Sequence, residues 1–134
     1  MNRIAWVILA LAATLTFTGP AMADIVVIGN LSAPSMTKDE IIQLFLGKSH
    51  AMKPLDRSNS DPIKALFYQK LSGQDLSQVK ATWTRLIFTG KALPPKELPD
   101  AEAVRKAVAA DEKAIGYINK SEVDSSVKIL LVLN

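Results

Sequence analysis

The chain has 134 residues, 16 Lys and Arg against 13 Asp and Glu, one histidine and no cysteine. A net charge of +3 with the signs interspersed leaves no basic stripe for nucleic acid or an anionic membrane. The absence of cysteine excludes disulfides and thiolate metal sites and leaves no thioether anchor for a lipid.

The first 23 residues read as a leader. Asn2-Arg3 gives a positive start, Ile4–Thr18 is an apolar run, Gly19-Pro20 breaks it, and Ala21-Met22-Ala23 is a small-x-small cleavage site. The run is shorter than the ~20 apolar residues that span a bilayer. The expectation is a cleaved signal peptide, 1–23, and a mature single domain, 24–134. That domain holds 15 basic and 13 acidic side chains, net +2. Export without disulfides points to a periplasm.

Ile25–Ile28 is a continuous β-branched run stopped by Gly29-Asn30, the pattern of a strand buried on both faces in a parallel sheet. Thr37 and Glu40 form a capping box for a short helix carrying Ile41, Ile42, Leu44, Phe45 and Leu46, ended by Gly47. A second short strand is expected near Lys53–Asp56, weakened by Pro54. Ser60 or Asp61 caps the next helix, with Pro62 in its first turn and Ile63, Leu66, Phe67 and Leu71 as its buried stripe. Ser72-Gly73 ends it. From Asp75 another helix carries Leu76, Val79, Trp83, Leu86 and Ile87 at helical spacing, stopped by Gly90, with Trp83 and Phe88 expected near the core. Pro94-Pro95 marks an extended surface loop flanked by Lys91 and Lys96, a candidate docking segment. Ala101–Ala110 reads as a helix with Val104, Ala107 and Val108 inward, then Ala114–Ile118 and Val127–Leu133 as strands. Strands separated by helices predict an α/β fold, with a small, mostly parallel sheet flanked by helices.

Catalysis finds little support. His50 stands alone in a loop, and no metalloprotease, nucleophile-elbow or phosphate-loop pattern occurs, so neither enzyme, cofactor nor metal is expected. The informative stretch is DRSNSDPIKALFYQK, 56–70. It sets an arginine and three small polar residues before a helix N-terminus, a natural anion site.

This loop carries a resemblance. TKDEIIQLFLGK (37–48), LDRSNSDPIKALFYQKLSG (55–73), TWTRLIFTGKALPPKEL (82–98) and KAIGYINKSEVDSSVKIL (113–130) occur in this order. Together they resemble the periplasmic phosphate-binding proteins of ABC transporters, in a short single-lobe branch. The resemblance implies a periplasmic-binding-protein-like fold whose two α/β lobes close on phosphate, of which this chain is the one lobe that carries the anion loop. The family's loop runs Arg-x-Asp-Gly-Ser-Gly-Thr into a helix. Arg57 matches its arginine and Asn59 falls on its aspartate. Ser60 falls on a glycine or the serine according to alignment, and Asp61-Pro62-Ile63 can fall on Ser-Gly-Thr. The implied ligand-binding residues are Arg57, Ser58, Asn59 and Ser60, and the implied ligand is phosphate or a related oxyanion, held weakly for transport or sensing.

The departures have a physical meaning. An N-cap Asp61 accepts from the amides that a phosphate would use, and Pro62 has no N–H to give. A carboxylate ~4 Å from a bound anion costs about 4 kcal/mol at an effective dielectric near 20, roughly a thousandfold in affinity. The alternative is therefore a ligand-free interaction module of the same fold that contacts a membrane transporter, porin or sensor. No membrane insertion is expected after signal cleavage.

Overall fold

The computed structural model describes residues 24–134, and the expected signal peptide, 1–23, lies outside the described residues. Five strands form one sheet: β1 (Ile25–Gly29), β2 (Lys53–Arg57), β3 (Lys96–Leu98), β4 (Ala114–Asn119) and β5 (Lys128–Leu133). The helices are α1 (Lys38–Phe45), α2 (Pro62–Ser72), α3 (Leu76–Phe88) and α4 (Ala101–Ala110). Both apolar clusters of the described residues are built from these elements and the loops between them.

The strand order is β3-β2-β4-β1-β5. The α/β class is as expected, and the sheet is mixed. β2 runs parallel to β3 and β4, while β1 is antiparallel to both β4 and β5. A run such as Ile25–Ile28 is covered on both faces whichever way its neighbours run, so its composition reports burial and not strand direction. β3 falls in a stretch that reads as loop, because three residues are too few to show a period.

Alternation along the strands divides the apolar residues between two layers. Ile25, Val27, Ile115, Tyr117 and Leu133 face α1, α2 and α3 in the larger cluster. Val26, Ile28, Leu55, Ala114 and Ile118 face α4 in the smaller one. α4 sits directly on β4 at Gly116, where an added Cβ would lie 2.5 Å from Val104 Cγ1. The Asn30 side chain, just past β1, donates to the carbonyls of Val108 and Ala109 at 3.1 and 3.0 Å and so satisfies the free end of α4.

Each helix start is capped by a side chain, at Thr37, Asp61 and Asp75 as the sequence signals and at Asp100 in addition. Thr37 accepts from the Glu40 amide, Asp61 from Ile63, Asp75 from Gln78 and Asp100 from Ala103. The buried faces differ in two places. In α2, Leu66 is exposed, and Lys64 and Tyr68 are buried beside Ile63, Phe67 and Leu71. In α3, only Val79 is fully buried, and Phe88, expected near the core, is 87% exposed at the helix end. Trp83 is half-buried and donates from Nε1 to the Phe45 carbonyl at 3.0 Å, which pins α3 to the end of α1.

That junction also needs Gly47, which turns the chain with φ +75°. A Cβ there would lie 2.6 Å from Leu86 Cδ1 and 3.0 Å from the Trp83 ring. Gly73 has a similar φ of +72° with nothing within 4 Å. Gly73→Ala should therefore cost only the left-handed penalty, ~1 kcal/mol, and Gly47→Ala that plus displacement of α3, ~2–3 kcal/mol. For a domain of this size the second change lowers the thermal midpoint by roughly 10 °C or more. Equal losses in the two variants would show that α3 yields freely at this contact.

Candidate functional site

β2 ends in Asp56 and Arg57, and the chain then turns through Ser58–Asp61 into α2. Asp61 donates its amide to the Ser58 carbonyl at 2.9 Å, closing a tight turn with Asn59 and Ser60 at its exposed tip. The Ser58 and Ser60 hydroxyls lie 3.0 Å apart. Asn59 and Lys64 help line a small cleft of about 150 Å³ between the turn and α3.

Arg57 does not point to solvent. It is 7% exposed, and its guanidinium grips Asp61 Oδ2 through Nε at 3.0 Å and Nη2 at 2.8 Å. Asp61 Oδ1 accepts from the Ile63 amide at 3.2 Å. One oxygen thus lies on the guanidinium and the other on the helix N-terminus, the two contacts that an oxyanion would make in this loop. Arg57 Nη1 is buried without a hydrogen-bond partner among the described residues. The structure therefore gathers Arg57, Ser58, Asn59 and Ser60 into one turn, with the arginine facing inward onto Asp61.

Beneath the turn lies a network that the sequence did not announce. The Asp56 carboxylate is 4% exposed. Oδ1 accepts from the Tyr117 hydroxyl at 2.5 Å and the Arg57 amide at 2.8 Å. Oδ2 accepts from the Tyr68 hydroxyl at 2.7 Å and faces Lys64 Nζ at 3.6 Å. Three hydrogen bonds and one ion pair hold this carboxylate inside the protein. Lys64 also reaches Glu97 at 3.4 Å, on β3. Asp56, Asp61 and Glu97 against Arg57 and Lys64 give the cluster a formal charge of −1, a poor setting for an added anion. Buried tyrosines need hydroxyl partners, which was the one available signal, but Asp56 and Tyr117 lie 61 residues apart.

The aromatic rings pack with the network. Phe67 stacks on Tyr117 at 3.7 Å, and Phe45 meets Phe67 edge-on at 4.8 Å. His50 lies at the other end of β2, away from this cluster, in the lining of a larger groove.

No family model matches the chain, and no curated protein matches it. Solved structures do. The chain is similar to an ABC-type phosphate transport receptor from Vibrio cholerae, with a TM-score of 0.62 and 17% identity over 81% of this chain and 46% of the receptor. The likeness is one of fold, over under half of that receptor. A phosphate ABC transporter substrate-binding protein from Clostridium perfringens, solved with bound phosphate, gives a TM-score of 0.64 and 19% identity over 81% of this chain and 45% of that one. The chain thus spans under half the length of these phosphate-binding proteins, the share expected of one lobe. Among the described residues no helix is long and apolar enough to cross a membrane.

The chain has two tyrosines, Tyr68 and Tyr117, and both donate to Asp56. Burial first, and the neighbouring carboxylate second, push both phenols well above their ordinary value. With the folded value raised, their contribution is intact below the unfolded phenol pKa near 10 and is lost as pH rises beyond it. Alkaline titration should show no phenolate absorbance while the fold persists, then ionisation of both phenols together with unfolding. A phenol titrating near pH 10 with the circular dichroism unchanged would rule out this network.

Proposed function

We propose that this chain is an exported single-lobe relative of phosphate-binding proteins whose anion loop carries its own anion, Asp61, and which acts by contacting a protein partner. The observation that carries the reading is the Arg57–Asp61 pair: the Nε and Nη2 donors of the guanidinium and the helix amide at Ile63 are already bonded to Asp61. A two-lobed binder shields its ligand by closing, and one lobe leaves an anion wet on at least one side. The partner class that fits the fold is a transporter, porin or sensor in the bacterial envelope.

A second reading, weak binding of phosphate or a related oxyanion by Arg57, Ser58, Asn59 and Ser60, draws support from Arg57 Nη1, a buried donor without a partner. Thermal midpoints separate the two. In a phosphate-free buffer at matched ionic strength, the chain 24–134 should respond equally and slightly to phosphate, sulfate and chloride. Asp61→Gly breaks a largely buried pair and should lower stability by ~2–4 kcal/mol. It should also make the midpoint phosphate-selective, since ligand at 100 times Kd restores about 2.7 kcal/mol. Asp61→Asn keeps a capping side chain, removes the charge and should move in the same direction. A phosphate-selective rise in the unaltered chain would favour the second reading. Variants no more responsive than the parent would mean that Asp61 does not occupy the anion's place.

Export makes a separate demand. Expressed at full length in a bacterial host, the exported fraction should have the mass of a chain beginning at Asp24. An exported chain retaining Met1 would refute signal cleavage.

A further inference from the structure

A groove of about 750 Å³ opens beside the start of β2, at the opposite end of that strand from the Ser58–Asp61 turn. Its origin is the shortness of β3. β3 pairs with β2 only from Leu55 onward, so no strand covers the outer edge of Lys53 and Pro54. The chain leaving α3 at Phe88 instead swings round through Gly90–Pro95 and walls the gap.

Leu44, Met52, Trp83 and Ile87 make an apolar floor, and Leu93 and Pro95 stand over it. Leu93 is 87% exposed and Ile87 43%, so this apolar surface is left wet. Trp83 is held in place by its bond to the Phe45 carbonyl. The rim is cationic. Lys53 pairs with Asp111 at 3.3 Å, whereas among the described residues neither Lys91 nor Lys96 pairs with a carboxylate. Lys53, Lys91 and Lys96 against Asp111 give the lining a formal charge of +2.

We infer that this groove binds an anionic amphiphile, an apolar body bearing one acid group. The volume lies in the ~300–1,000 Å³ range of small-molecule sites, which combine a mostly apolar lining with a few polar groups. The apolar floor offers nothing to a small inorganic oxyanion, and the rim disfavours a cation. Strand addition is a poor use of the edge, because Pro54 has no N–H to offer there. The site is independent of the anion loop.

Trp83 makes the inference measurable, because the other tryptophan, Trp6, lies outside 24–134. Decanoate, decanol and decyltrimethylammonium would be titrated into the chain 24–134, below their aggregation concentrations, with Trp83 emission as readout. Decanoate should produce a saturable change and bind about three- to tenfold more tightly than decanol at low salt, the scale of one or two exposed ion pairs. The cation should bind most weakly, and added salt should erase the decanoate preference. Lys91→Glu with Lys96→Glu changes only exposed side chains and should remove that preference while leaving decanol unaffected. Inorganic phosphate should not compete. Absence of a saturable change with all three probes would overturn the site. Equal affinity for decanoate and decanol, or indifference of decanoate to the double reversal, would overturn its anionic assignment.

Discussion

The carboxylate of Asp56 joins the end of β2 to α2 through Tyr68 and to β4 through Tyr117. A carboxylate removed from water costs several kcal/mol unless it is paired and hydrogen-bonded. Here three hydrogen bonds and the Lys64 ion pair meet it, so the cost is offset only when all three elements are in register. The stacked ring of Phe67 and the edge of Phe45 hold those phenols in position. The polar network and the aromatic core thus specify one arrangement of strand ends, and the Ser58–Asp61 turn is built on top of it.

From that arrangement follows the character of the turn. Arg57 is drawn inward because its own amide is bonded to Asp56 and its guanidinium has a carboxylate one turn further on. In this turn the guanidinium and the first helix amide both bond to the Asp61 carboxylate. A bound anion would have to displace Asp61 or crowd it, and a cluster that already carries a formal charge of −1 opposes both.

Much of this was legible in the sequence, and the gaps have physical causes. The capping residues Thr37, Asp61 and Asp75 and the stop at Gly73 are local signals, and local signals were reliable. Strand direction was not: β1 is apolar on both faces, so its residues cannot distinguish parallel from antiparallel neighbours. Leu66 and Phe88 lie outside the core because helical spacing shows which residues share a face, not how far the sheet beneath extends. The loop was found from the arginine and its small polar neighbours, and the Asp61 cap could be argued from its position before Pro62. Asp56 was missed because a single acid at a strand end looks solvated until the fold brings Tyr117 to it.

The junction between α1 and α3 sets how the molecule breathes. α3 is 13 residues long, yet it commits one fully buried side chain, Val79, to the core and otherwise rests on Trp83, Leu86 and the space left by Gly47. A helix with so little buried is expected to open locally before the sheet and α4 do, at less than the free energy of global unfolding. The hydrogen bond from Trp83 to the Phe45 carbonyl is then the main polar tie between this helix and the aromatic cluster, and the surface that depends on it is the one that leads into the Pro-Pro loop.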